Sequence, residues 1–204
     1  MPDPVGLFEM RRLEALSNTI FGVAMTLLAY NLPKMSGPAK APSWTDLYHT
    51  YAQHVAALML SFIIAGVFWF SHHRRLAVAP QAGRGTVFLN LLFLLSIIVL
   101  PATNGLYGSY RASNVVAVLY GTHLTVIATL NALLWLIALR GREHWEILAP
   151  AIFPVVVFLL GTAVASFAPT VGPFLWFLAF AAPLLGWFGA RRRGRLRPSP
   201  PESP

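Results

Sequence analysis

Long apolar runs alternate with short polar breaks along the 204-residue chain. A helix needs roughly 20 mostly apolar residues to cross a bilayer, and six runs meet that length. The first extends from about Leu13 to Leu32 and stops at Pro33, which cannot continue a helix. A polar, Pro-rich loop (34–42) separates it from the second run, 44–70, whose start Ser43 can cap. The third covers 86–106, with Pro101 expected to kink its outer end. The fourth, fifth and sixth cover 114–139, 147–167 and 173–190. The pattern predicts an all-α integral membrane protein with one six-helix transmembrane domain, 1–190, followed by a basic, then Pro/Ser-rich, disordered tail at 191–204.

Charge placement orients these spans. Arg11, Arg12, Arg74, Arg75, Arg84, Arg140, Arg142 and the arginines of the tail fall on one side of a six-span topology; the other side holds Lys34, Lys40 and Arg111. The positive-inside rule makes the crowded side, with both termini, cytoplasmic. Trp44, Trp69, Trp145 and Trp187 lie near span ends, as interfacial aromatic residues do. The net charge of +8 is spread over these breaks without forming an aromatic-interleaved patch, so it does not point to nucleic acid. Charged residues make up only 11% of the chain against 56% apolar, too few to solvate a globular surface. Asp3, Glu9 and Glu14 among the early arginines do not fit a cleavable signal. The chain has no cysteine, which excludes disulfide and thiol chemistry.

The first span is the unusual one. It opens on Arg12-Leu13-Glu14-Ala15-Leu16-Ser17-Asn18, placing charge and hydrogen-bonding groups at its cytoplasmic end. Projected at 100° per residue, Leu16, Thr19, Ile20, Val23, Thr26, Leu27 and Tyr30 share one stripe. Ala15, Gly22 and Ala29 recur every seven residues on an adjoining face, where small side chains let another helix approach closely. Periodicity alone leaves the stripe open to a protein core, to lipid, or to a narrow, mostly apolar conduit lined by several copies and gated by dewetting.

Other chemistry finds little support. The acidic residues Asp3, Glu9, Glu14, Asp46, Glu143, Glu146 and Glu202 sit at span ends or in loops, with no pair placed for acid–base work. No nucleophile elbow, zinc-protease motif or phosphate loop occurs, and the chain reads as a non-enzyme without cofactor. Adjacent His72 and His73 point in different directions on a helix, a poor geometry for a shared metal. His123 lies inside the fourth span with no acid at its depth, so a neutral histidine bonded to a neighbouring helix is expected. A secondary transporter is the rival reading of such a chain, although no three-plus-three repeat is evident and only Pro101 and Pro154 break spans.

The segment Arg12 to Asn18 resembles the Arg-x-x-x-Phe-Ser-Asp signature that opens the first helix of the transmembrane protein 175 family, the lysosomal potassium channels and their bacterial relatives. Trp69-Phe70-Ser71-His72 is similar to that family's Trp-x-x-His segment, and Asn90 to Leu95 with Leu100-Pro101 also resembles it. Leu16 replaces the family phenylalanine and Asn18 its aspartate, removing a negative charge at the inner end. The resemblance implies a potassium-selective homotetramer in a bacterial plasma membrane, with potassium as the permeant ion and helix one lining a pore that lacks a selectivity loop. It maps the constriction onto Val23, Thr26 and Tyr30, with Thr19, Ile20 and Leu27 along the same stripe. It also implies a structural polar cluster in which Trp69 and His72 brace Arg12, Ser17 and Asn18.

Overall fold

The computed structural model describes residues 8–34, 41–78, 81–140 and 145–182. Five of its helices are long and apolar enough to cross a membrane: α1 (Met10–Tyr30), α2 (Trp44–Val78), α3 (Arg84–Ser109), α4 (Asn114–Ala138) and α5 (Trp145–Ala165). A shorter apolar segment follows, α6 (Gly172–Trp176) continuing as a 3-10 turn to Ala181. The described residues thus form six helices of a predominantly α, multi-pass membrane protein. The sixth predicted span, 173–190, lies outside the described residues from 183 onward, as do Lys40, Arg142, Trp187 and the tail. One small addition was not expected: β1 (Phe8–Glu9) pairs antiparallel with β2 (Gln81–Ala82), a two-residue clasp between the start of α1 and the α2–α3 connection.

Local chemistry sets the helix limits. Ser43 and Asp46 form a capping box at the start of α2: the Ser43 N–H and hydroxyl donate to Asp46 Oδ2 at 2.9 and 2.6 Å, and the Asp46 N–H donates back to Ser43 Oγ at 3.2 Å. The helix runs on beyond the expected span of 44–70. Phe68, His72, Arg75 and Leu76 recur at helical spacing and are buried, so packing carries α2 on to Val78. At about 1.5 Å per residue α2 is roughly 50 Å long, well beyond a hydrocarbon core of about 30 Å. Pro101 stands inside α3, and Pro150 and Pro154 inside α5.

The core has two aromatic storeys. Phe21 of α1 and Phe68 of α2 both meet Phe93 of α3, at 6.0 and 6.3 Å between ring centroids, and Phe68 also meets Phe158 of α5 at 6.3 Å. Further along the bundle Tyr107 stacks on Tyr120 at 4.8 Å, with the Trp176 ring edge-on to both. The Ser61 hydroxyl lies 2.7 Å from Asn104 Oδ1 and 2.6 Å from the Tyr120 hydroxyl. Trp176 fits only because Gly161 lacks a side chain: a Cβ there would stand 2.5 Å from the indole. Packing is densest between α4 and α5, while α1 leans on α3 and α2 at the edge of the bundle. That edge position leaves half of α1 bare.

Candidate functional site

The two faces of α1 have opposite surroundings. Leu13, Ser17, Phe21, Ala24 and Leu28 form a ridge buried against α2 and α3. The stripe singled out by periodicity faces away: Val23 is 52% exposed and Tyr30 69%, Leu16, Thr19, Thr26 and Leu27 are exposed, and Ile20 is half-buried. A core environment within the protomer is therefore excluded for this stripe. Gly22 is equally bare, with nothing within 4 Å of the position a Cβ would take.

Hydroxyl geometry on the stripe is specific. Thr26 Oγ1 donates to the Val23 carbonyl at 2.8 Å, and Thr19 Oγ1 donates to that of Ala15 at 3.0 Å. Each hydroxyl proton is thereby satisfied by the helix, leaving the oxygen's lone pairs turned outward as acceptors. No formal charge occurs between Glu14 and Lys34, and the helical part of that stretch, 15–30, rises about 24 Å along the axis. Charges mark the two ends instead. Glu14 Oε1 lies 3.2 Å from His73 Nδ1 at one end, and the Lys34 ammonium sits 4.6 Å from the centre of the Tyr30 ring at the other.

Behind the inner end, the polar residues divide into two groups. Trp69 Nε1 donates to Asn18 Oδ1 at 2.9 Å, and His73 stacks on the Trp69 ring, so α2 grips α1 along its exposed flank. Ser17 is buried and donates to the Leu13 carbonyl at 2.7 Å, within its own helix. Arg12 is exposed at the start of α1. His72 turns inward, against Phe21, Phe93 and Arg75. His72 and His73, neighbours in sequence, thus meet α1 in different surroundings, His72 in the core beside Phe21 and His73 at the exposed flank beside Glu14.

Arg75 was counted in sequence with the topology-setting arginines, yet it is only 3% exposed. One guanidinium nitrogen bonds His72 Nδ1 and donates to Asn90 Oδ1 at 2.9 Å, and the other donates to Asn131 Oδ1 at 3.4 Å. Asn131 exchanges bonds with Ser71, whose oxygen also accepts from Trp135 Nε1 at 2.9 Å. One buried cation therefore links α2, α3 and α4 through neutral amides. Asn90 and Asn131 inside the largely apolar third and fourth runs were the available sign. His123 is fixed to α3 through both ring nitrogens, with Nε2 3.0 Å from the Ser96 carbonyl and Nδ1 2.8 Å from the Thr103 hydroxyl.

The fold and this site define a multi-pass membrane protein whose first helix presents an uncharged, hydroxyl-bearing stripe outside its own packed core. The model of the family described as endosomal/lysosomal potassium channel TMEM175 matches residues 12–101, from the start of the α1 motif to the proline in α3. That match covers less than half of the chain, and over those residues the chain is similar to the TMEM175 family. A potassium channel of Streptomyces collinus is 32% identical over 133 residues, covering 62% of this chain and 63% of that protein. A potassium channel of a Chryseobacterium species is 26% identical over 175 residues, covering 82% and 88%. The chain thus spans less than two thirds of the first relative and most of the second. In fold it is similar to the crystal structure of a lysosomal potassium-selective channel TMEM175 homolog from Chamaesiphon minutus, with a TM-score of 0.74 at 22% identity over 87% of this chain and 98% of that one. These relatives are named as channels, not enzymes.

Proposed function

We propose that the protein is a potassium-permeable, potassium-selective channel of four identical subunits, with α1 of each turned toward a shared axis. The observation that carries this reading is the bare stripe of α1, which the protomer leaves uncovered while it packs the opposite face closely. Val23, Thr26 and Tyr30 form successive layers of the constriction, with Thr19, Ile20 and Leu27 beside them. Selectivity arises from dehydration. An apolar ring strips water from an ion, and potassium, holding its water less tightly than sodium, crosses at lower cost. The outward lone pairs of Thr26 replace part of that water. The arginine distribution supports a bacterial plasma membrane protein with both termini cytoplasmic.

Planar-bilayer recording of the purified protein, with potassium on one side and sodium on the other, tests the reading. The expected result is discrete current steps whose reversal potential lies toward the potassium equilibrium potential. A silent bilayer, or equal permeability of the two ions, defeats it.

A further inference from the structure

The buried ridge of α1 ends at Leu28, and the last turn, with Ala29 and Tyr30, is exposed. One polar side chain extends the ridge by a further helical step. Asn31, immediately after α1 and three residues beyond Leu28, is half-buried, and its Nδ2 donates to the Pro101 carbonyl of α3 at 2.6 Å. A carbonyl has two lone pairs, so Pro101 can take this bond alongside one within its own helix. Gly105, one turn further along α3, provides the room: a Cβ there would stand 2.9 Å from Asn31 Cγ and 3.1 Å from its Oδ1. Donor, acceptor and space come from three separate positions and meet in one joint.

We propose that this joint makes Asn31 a positioning residue for ion selectivity, fixing the rotation of the outer turn of α1 and so the direction in which Tyr30 faces. Asn31 follows Tyr30 directly in the chain, so anchoring its side chain restrains the end of the helix at Tyr30. The inference rests on the conduction reading above and adds to it a part of the molecule that touches no ion. Loss of the bond lets the outer ring of four tyrosines turn and widen. Discrimination between ions suffers more than assembly does, because Phe21, Ala24 and Leu28 still seat the helix.

The test uses the full chain in bilayers under potassium/sodium bi-ionic conditions, comparing the parent with Asn31→Ala, Asn31→Asp, Gly105→Ala and the Asn31→Ala/Gly105→Ala double variant. The aspartate keeps the shape but lacks the donor. Each single change is expected to lower the permeability ratio about fivefold, the equivalent of one hydrogen bond, with the thermal transition of the detergent-solubilised protein unmoved. The double variant should fall no further than the larger single change, since both remove the same bond. A second readout does not need selectivity. The chain is free of cysteine, so Tyr30→Cys can be labelled with a water-soluble thiol reagent, and its rate should change when Asn31→Ala is added. Unaltered permeability ratios, additive single effects, or an unchanged labelling rate each overturn the joint. If the parent conducts, and Val23→Ala alters its current while the Asn31 and Gly105 variants do not, this inference alone falls. A parent that does not conduct takes the conduction reading down with it.

Discussion

Two ridges of α1 are built from similar side chains and have opposite fates. One carries leucines, a serine, an alanine and a phenylalanine; the other carries leucines, threonines, a valine and a tyrosine. Each includes a hydroxyl bonded back to a carbonyl of its own helix, Ser17 to Leu13 on the first and Thr26 to Val23 on the second. Hydropathy therefore does not separate them. In a bilayer lipid tails are as apolar as leucine, so association follows shape and packing rather than escape from water. The buried ridge has Phe21, whose ring meets those of His72 and Phe93 at 6.1 and 6.0 Å. Among the described residues the bare ridge makes no such ring contact with α2 or α3, although Ile20 at its margin packs against the core. An apolar stripe that the protomer declines to cover is available to a different neighbour.

The sharpest way to break this comparison is to exchange the roles of its two faces. Phe21→Ala should destabilise the protein by about 3–5 kcal/mol, as truncation of a buried ring does, measured by thermal unfolding in detergent. Val23→Ala in the same assay should shift the transition by little. Arg75→Met comes next, at about 2–3 kcal/mol, because Asn90, Asn131 and His72 lose a charged donor while remaining buried. Stability equal to the parent would show that the guanidinium is dispensable. On the bare face the readout is current. Val23→Ala should raise unitary conductance about fivefold, corresponding to roughly 1 kcal/mol off the dehydration barrier. Unchanged conductance would mean that another helix forms the narrowest layer. The smallest effect belongs to Asn18→Asp. A carboxylate oxygen can still accept the Trp69 N–H, and the added charge should raise potassium conductance about twofold in dilute salt, fading as salt screens it. A gain that persisted at high salt would point to a structural change instead.

Much of the architecture was legible because hydropathy reports spans directly. Five of the six predicted starts lie within about two residues of the observed helices, and the stripe from Leu16 to Tyr30 emerged from the 3.6-residue period. Reading failed where identity does not reveal surroundings. An arginine at the end of an apolar run looks the same whether it faces headgroup water or, like Arg75, lies between helices. Its acceptors Asn90 and Asn131 stand 15 and 56 positions away in sequence, and only the fold brings them together. The burial of His72 was hidden for the same reason, since packing on Phe93 is what makes it and Arg75 core. The resemblance implied one polar cluster; the structure has Trp69 bonded to Asn18 at the exposed flank and His72 bonded to Arg75 in the core. The Asn31–Pro101 bond spans 70 positions and has no local signature.

The uncharged stretch between Glu14 and Lys34 bears on how the protein meets an electric field. A 100 mV change across a membrane does about 2.3 kcal/mol of work on each elementary charge that traverses it, and α1 gives that force no formal charge to grasp over this stretch. On the conduction reading proposed above, voltage acts on the permeating ion rather than on this stretch of α1.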